Sequence, residues 1–191
     1  MTSFALFETA IGACGIVWGE SGILGTQLPE AREDQARTRL AKRYPGAGES
    51  VPLPAIEKVI AEIKALLAGE ARGLAGVTLD MASVPEFERK VYEIARTIPP
   101  GRTMTYGEIA TKLGDKTLAR DVGAALGRNP FPIVVPCHRV LGSGGKTGGF
   151  SARGGVDTKM RMLQIEGAKT SDEPSLFDSL PVSAKKRSSL L

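Results

Sequence analysis

The sequence has few residues of the kinds that bind metals or form disulfides. Its 191 positions include two cysteines, Cys14 and Cys137, and a single histidine, His138. Two cysteines do not make the disulfide framework of a small secreted protein. With one histidine they also fall short of the four ligands of a structural zinc site. We therefore predict no metal and no cofactor.

Long apolar runs and targeting segments are also missing. No run approaches the roughly 18 apolar residues of a membrane span. Residues 1–8 lack the basic and then apolar stretches of a secretory signal. The composition, 42% hydrophobic and 24% charged, is that of an ordinary globular protein. We expect a cytoplasmic protein without membrane contact, and a monomer because no long apolar surface pattern favours a dimer.

Positive charge is scarce in the first part of the chain and concentrated in the second. Residues 1–85 carry 8 Lys and Arg against 10 Asp and Glu, whereas residues 86–169 carry 14 against 8. A basic excess favours a polyanionic partner, usually nucleic acid, although a solvated basic surface is the open alternative. Residues 170–191 are Ser-rich and contain Lys185-Lys186-Arg187, and we predict a disordered tail there.

Residues 1–82 have the pattern of a small α/β domain. Short β-branched stretches between glycines predict strands over residues 3–9 and 11–18. Residues 30–43 favour a helix, and Pro54 opens an amphipathic helix. A linker with a short strand follows at residues 72–82. Cys14 is interpreted as a small buried hydrophobic residue.

Residues 83–169 form the second predicted domain, which is mostly helical. Ser83–Glu86 and Thr105–Glu108 each match a capping box, so a helix should begin at each. The second helix is short and is followed, after a tight turn, by a helix over about residues 117–127. Two such helices predict a helix-turn-helix, with Arg120 early in its second helix and Gly123 after it. A plain helical bundle without DNA binding remains the alternative.

The end of this region contains a predicted strand and a last helix. Residues 133–135 are a short apolar, β-branched run. Asp157 is predicted to cap a helix that ends at Glu166-Gly167. Gly145-Lys146-Thr147 is typical of the end of a phosphate-binding loop, but Val140 stands where that motif needs glycine. This mismatch excludes a P-loop nucleotide-triphosphatase.

Cys137 and His138 are the strongest candidates for chemistry. A free thiol with a pKa of about 8.5 is only a few per cent thiolate at neutral pH. A nearby imidazole or positive charge, such as that of Arg139, raises this fraction. Neighbours in a strand point to opposite faces, so a buried cysteine beside an unrelated histidine is the open alternative.

The motif Pro136-Cys137-His138-Arg139-Val140 gives these residues a more specific meaning. It is preceded by Arg120-Asp121-Val122-Gly123 and by Asn129-Pro130, and it is followed by Gly148-Gly149-Phe150-Ser151. Together these segments resemble the O6-alkylguanine-DNA alkyltransferases, also called methylated-DNA–protein-cysteine methyltransferases. The resemblance is strong over residues 84–167 and weaker over residues 1–82.

The resemblance implies a fold and a function. The fold would be α+β, with an N-terminal ribonuclease-H-like α/β domain and a C-terminal winged helix-turn-helix domain. The function would be DNA repair by direct reversal. The alkyl group of O6-alkylguanine in a flipped-out nucleotide of duplex DNA would pass irreversibly to Cys137, once per chain. O4-alkylthymine as a second substrate is left open.

The resemblance also implies catalytic roles for single residues. Cys137 would be the nucleophile, and His138 would deprotonate it through a water molecule. Glu166 would fix the tautomer of the imidazole. Tyr106 would press on the adjacent phosphate and protonate the leaving guanine, and Asn129 would brace the active-site turn.

Further residues would contact DNA or the base. Arg120 would enter the base stack and fill the gap that the target nucleotide leaves, and Gly123 would let the helix approach the DNA closely. Ser151, Val135 and Val140 would line the guanine pocket, and Ser151 would also contact DNA. Two other classes remain open from the residues alone: a multiple-turnover cysteine hydrolase or thiol transferase, and a DNA-binding regulator without chemistry.

Overall fold

The computed structural model describes residues 1–147, 149–150 and 153–168. In this part of the chain the fold is mixed α/β, with six α-helices and a small main sheet. The first half contains β1 (Ser3–Phe7), β2 (Cys14–Gly19), β3 (Gly22–Gln27), α1 (Glu33–Arg43), β4 (Gly48–Glu49) and α2 (Pro54–Leu67). The second half contains α3 (Glu86–Arg96), β5 (Met104–Thr105), α4 (Tyr106–Lys112), α5 (Ala119–Gly127), β6 (Val140–Leu141) and α6 (Val156–Ile165). The predicted tail and Ser151 lie outside the described residues.

The main sheet has the strand order β3-β2-β1-β4. β1, β2 and β3 are antiparallel neighbours, and β4 runs parallel to β1. α2 covers the sheet with the apolar face that the sequence predicted, because Ile56, Ile60 and Ile63 recur at helical spacing and are buried. The predicted helix that begins at Pro54 is therefore confirmed.

The outer edge of β3 is where the two halves of the chain meet. The linker pairs with this edge, since the Ile23 amide donates to the Thr78 carbonyl at 3.0 Å and the Asp80 amide donates to the Ile23 carbonyl at 2.8 Å. Further along the same edge, the Thr26 amide donates to the Pro130 carbonyl at 3.0 Å. One hydrophobic core runs through both halves, and the domain boundary near residue 82 stays a prediction.

One predicted capping box is confirmed and the other is wrong. The Thr105 hydroxyl accepts from the Glu108 amide at 3.1 Å, and the Glu108 carboxylate accepts from the Thr105 amide at 2.6 Å. At Ser83–Glu86 the extended Pro85 takes the capping position instead, and no side chain caps α3. Ser83 therefore lies too far upstream to reach the free amides of the first turn.

Two further predictions are wrong. Residues 133–135 do not form a strand: residues 133 and 134 form a turn, with Ile133 at a φ of 77°, and Val135 makes an isolated bridge to Pro132. Proline on both sides, Pro132 and Pro136, removes the amide donors that a strand would need. Asp157 does not cap the last helix, because Gly155 occupies that position and Asp157 lies in the first turn of α6. Among the described residues, no helix has both the length and the apolar character needed to cross a membrane.

Candidate active site

Cys137 lies where the active-site loop, residues 129–136, meets a 3₁₀ turn over Cys137–Arg139. The side chain is partly exposed and lines a cavity of about 210 Å³. The predicted residues Tyr106, Gly123 and Asn129 line the same cavity. Residues separated by more than thirty positions in the sequence therefore line the same cavity as the thiol.

The other predicted pocket and DNA residues are placed differently. Val135 and Val140 are fully buried and do not line the cavity. Arg120 is exposed near the start of α5, also outside the cavity lining. In the described part of the chain, no group of three or more His, Cys, Asp or Glu residues is placed to hold a metal ion.

His138 is completely buried next to Cys137 in sequence and is fixed through one ring nitrogen. Its Nε2 lies 2.9 Å from Oε1 of Glu166, which follows the last residue of α6. Its Nδ1 is also buried and has no hydrogen-bond partner among the described residues. A carboxylate at Nε2 favours the tautomer with its proton on Nε2, which leaves Nδ1 free to accept one.

Arg139 holds the same carboxylate from the other side. Its Nε donates to Oε2 of Glu166 and its Nη2 to Oε1, both at 2.8 Å, while its Nη1 donates to the Ile98 carbonyl at 2.6 Å. Such a two-point contact fixes both the position and the plane of a carboxylate. The sequence suggested only a positive charge for Arg139, and the pairing with Glu166 was missed.

The surroundings of Glu166 and His138 determine the charge state of each side chain. Burial raises the pKa of Glu166, but hydrogen bonds with His138 and Arg139 outweigh it and bring the pKa to about 2. Burial lowers the pKa of His138, although the bond to Glu166 opposes this effect. Near neutral pH we therefore expect a charged Glu166 and a neutral imidazole that can accept a proton.

Burial has a larger effect on the thiol than its polar neighbours, so the pKa of Cys137 is raised overall. Burial raises the pKa of Cys137, while a hydrogen bond from the side chain of Asn129 and the charge of Lys159 lower it. Asn129 also spans the active-site loop, because its Nδ2 donates to the Val135 carbonyl at 2.9 Å and its Oδ1 accepts from the Phe131 amide at 2.8 Å.

Lys159 is a buried cation that sequence reasoning did not single out. It is 0% exposed, its Nζ donates to the Val140 carbonyl at 2.5 Å, and it lies 5.9 Å from the ring centroid of Tyr106. Burial lowers the pKa of Lys159, and the charge of Cys137 opposes this. The available signal was a lysine on the apolar face of α6, three residues before the buried Met162.

Tyr106, the first residue of α4, lies between the thiol and α5. A side-chain carbon placed on Gly123 of α5 would lie 3.8 Å from the ring of Tyr106, so α5 packs against this ring at Gly123. Burial and the nearby charge of Cys137 raise the pKa of Tyr106. The phenol therefore stays protonated and can act as a proton donor.

The N-terminal half also reaches the cavity, which the sequence did not predict. Thr26 and Gln27 from β3 line it, as do Arg39 and Arg43 from α1. Arg39 is paired with Glu30 at 2.6 Å. The cavity is thus built by both halves of the chain around a thiol from the second.

Comparison with known proteins identifies this arrangement. Residues 86–168 match the family model described as "6-O-methylguanine DNA methyltransferase, DNA binding domain". The methylated-DNA–protein-cysteine methyltransferase of Mycobacterium bovis is 39% identical over 178 residues, which cover 93% of this chain and 100% of that protein. The chain belongs to the methylated-DNA–protein-cysteine methyltransferase family. The resemblance seen in the sequence is therefore confirmed.

Other relatives agree in sequence and in fold. The Methanothermobacter thermautotrophicus methyltransferase of the same name is 37% identical over 153 residues, 80% of this chain and 78% of that protein. The Mycobacterium tuberculosis O6-methylguanine methyltransferase structure is 30% identical, with a TM-score of 0.71 over 93% of this chain and 100% of that one. The Mycobacterium tuberculosis OGT structure in complex with DNA is 29% identical, with a TM-score of 0.69 over 86% and 92%. The mixed α/β fold of this family member is thus shared with solved relatives.

Proposed function

We propose that this methyltransferase repairs duplex DNA by moving the alkyl group of O6-alkylguanine to Cys137. The observation that carries the proposal is the position of the thiol. Cys137 lines a cavity, and the next residue along the chain, His138, is buried and bonded to Glu166, which Arg139 also holds. A nucleophile supported by a base, with the base oriented by a third group, is the general arrangement of thiol catalysis.

The first step is deprotonation of the thiol. His138 accepts the proton at Nδ1 through a water molecule, because Nδ1 is the ring nitrogen without a partner in the described structure. Glu166 and Arg139 hold the ring while it gains charge. The ammonium group of Lys159 stabilises the thiolate.

The second step is a direct displacement at the alkyl carbon. A carbon–sulfur bond forms, the bond from that carbon to guanine O6 breaks, and the electron pair passes to the guanine. Tyr106 donates a proton to the leaving base, which avoids a free guanine anion. The product on Cys137 is a thioether, and no described residue is placed to hydrolyse it, so each chain reacts once.

DNA would be bound by the helix-turn-helix of α4 and α5. The target carbon is hidden in a duplex, so the nucleotide must be flipped out at a cost of a few kcal/mol. Arg120, which is exposed near the start of α5, would fill the gap in the stack. A relative's structure was determined with DNA, and the basic second half predicts binding that weakens with salt.

We also propose the finer domain assignment that the resemblance implies. The sheet supports a ribonuclease-H-like first domain, since β1, β2 and β3 are antiparallel and β4 is parallel to β1. The tight α4–α5 pair supports a winged helix-turn-helix in the second domain. The protein would act as a monomer.

The two cysteines allow a matched test of the acceptor. Cys137→Ala and Cys14→Ala are each mixed with a duplex that carries one O6-methylguanine with a labelled methyl group. We expect no label on Cys137→Ala and full labelling of Cys14→Ala. Labelling of Cys137→Ala would overturn the proposal, and repeated loss of lesions without protein labelling would favour a multiple-turnover enzyme.

A further inference from the structure

The active-site loop is held from outside by the N-terminal sheet. β3 is the edge strand of that sheet, so its outer amides are free to pair with another segment. At Thr26 that segment is the active-site loop: the Thr26 amide donates to the Pro130 carbonyl at 3.0 Å, and the Thr26 hydroxyl donates to the Pro132 carbonyl. Thr26 is 2% exposed, so both bonds are shielded from water.

The residue that follows these two anchored carbonyls is strained. Ile133 has a φ of 77° and is a β-branched residue, for which the left-handed region is unfavourable. Such a conformation persists only where the surrounding structure holds it in place. Asn129 holds the loop from inside through Val135 and Phe131, and Thr26 holds it from outside.

The strand is shaped for this contact at its neighbouring position as well. A side-chain carbon on Gly25 would lie 3.0 Å from the Pro130 carbonyl oxygen and would overlap the hydroxyl of Tyr44. That hydroxyl donates to the Leu24 carbonyl at 3.1 Å. Glycine at position 25 therefore lets the loop carbonyl approach β3 closely enough for Thr26 to bind it.

We propose that Thr26 is a positioning residue for alkyl transfer. By fixing the carbonyls of Pro130 and Pro132, it maintains the strained turn at Ile133 and so sets where Cys137 faces relative to His138. The inference rests on the proposed function, because alkyl transfer is the reaction that Thr26 would affect. The contacts between Thr26 and the loop do not depend on that proposal. The N-terminal half would then control the reaction without contributing a reacting group.

A purely stabilising role for the same bonds makes a different prediction. In that case the loss of the hydroxyl would lower the melting temperature but leave the rate of the folded protein unchanged. If Thr26 positions the loop, the folded protein itself should transfer the alkyl group more slowly. Misplacing a reacting group by about 1 Å lowers a reaction rate up to about a hundredfold.

Three variants separate these roles. Thr26→Val removes the hydroxyl but keeps the shape, and Thr26→Ser restores the hydroxyl. Thr9→Val is the matched control, because the Thr9 hydroxyl also binds a backbone carbonyl, that of Gly12 at 2.7 Å, but in the β1–β2 loop and not in the active-site loop. Each is measured for its melting temperature and for its transfer rate as a function of the concentration of O6-methylguanine duplex.

A second assay needs no DNA. Iodoacetamide is reacted with each protein across a pH series, and its addition to Cys137 is followed by peptide mass spectrometry. The groups that interact with this thiol are the side chain of Asn129, the backbone amide of His138, Lys159, Tyr106 and Tyr92. If the loop relaxes in Thr26→Val, the bond from Asn129 is lost and the pH–rate profile moves to higher pH.

For Thr26→Val we expect a saturating transfer rate about tenfold lower, an unchanged half-saturating DNA concentration and a shifted iodoacetamide profile. Thr26→Ser and Thr9→Val should behave like the unaltered protein in both assays. An unchanged rate and profile for Thr26→Val would overturn the inference, as would an equal slowing of Thr9→Val.

Should Thr26→Val not fold, Thr26→Ala is held to the same outcomes. Failure of the unaltered protein to take up methyl groups would refute the proposed function alone, and the iodoacetamide profiles would still decide the role of Thr26.

Discussion

The two cysteines of this protein differ in exposure and in surroundings, since Cys14 is buried and Cys137 is partly exposed. Cys14 lies in the core of the N-terminal half, where burial raises its pKa to about 12 and the hydroxyl of Thr9, 3.7 Å away, is its polar contact. Cys137 also has a raised pKa, but the Asn129 side chain, the charge of Lys159 and the backbone amide of His138 oppose the effect. Burial alone makes a thiol inert, and only a built polar environment makes it a nucleophile.

The largest expected effect comes from removing the charge behind His138. In Glu166→Gln the imidazole loses the carboxylate that fixes its tautomer, so we expect transfer to slow by about 10²–10⁴-fold. Single-turnover transfer from O6-methylguanine duplex measures this. Glu57→Gln, at an exposed position of α2, is the control and should react at the normal rate. A Glu166→Gln rate within threefold of normal would show that the polar environment of Cys137 is dispensable.

The same carboxylate should make stability depend on acid. The pKa of Glu166 is about 2 in the folded protein against an ordinary value of 4.5. Its contribution, about 3 kcal/mol, is therefore complete above pH 4.5 and is lost as the pH falls towards 2. Urea unfolding at a series of pH values between about 5 and 2 measures this loss, because the carboxylate becomes protonated over this range. Glu166→Gln should lose less stability over this range, and an equal loss would contradict the assignment.

Removing the buried cation should make Cys137 more like Cys14. Lys159→Met keeps the length of the side chain but removes the charge that lowers the pKa of Cys137. We expect the reaction of Cys137 with iodoacetamide near neutral pH to slow severalfold, because a higher thiol pKa leaves less thiolate. Arg161→Met, an exposed change on the same helix, should not alter it. A Lys159→Met thiol that reacts at the normal rate would show that the cation does not support the thiolate.

The smallest expected effect follows the reaction itself. A methyl group on Cys137 adds volume beside the packed helices α4 and α5. Overpacking costs about 1–3 kcal/mol, and we expect the lower end because the thiol faces a cavity. Calorimetry should show a melting temperature about 2–4 °C lower for the methylated protein. Equal melting temperatures would mean that the cavity absorbs the group without strain.

Local patterns in the sequence predicted a good part of the fold. Pro54 and the spacing of Ile56, Ile60 and Ile63 predicted α2, and Thr105 with Glu108 predicted the start of α4. These features depend on residues within a few positions of one another. The apolar run at residues 133–135 led to a wrong prediction of a strand. Its conformation depends on the flanking prolines and on the contact of its loop with β3, which is distant in the sequence.

The site was predictable in its residues but not in its contacts. Cys137 and His138 stood out as neighbours, and the family resemblance added Glu166. The pairing of Arg139 with Glu166 joins positions 27 residues apart, and the bond from Thr26 to Pro132 joins positions 106 apart. No local pattern encodes such contacts. The apolar-face position of Lys159 was the one local sign of a buried charge.

The most direct test of the account is intact-mass spectrometry of the unaltered protein after reaction with an excess of duplex carrying one O6-methylguanine. We predict a gain of one methyl group per chain, located on Cys137 by peptide mapping, and a loss of lesions equal to the amount of protein. Cys14 should stay unmodified. Lesion loss beyond the amount of protein without a mass change, or a methyl group on Cys14, would contradict the claim that the polar environment of Cys137 makes it a single-use acceptor.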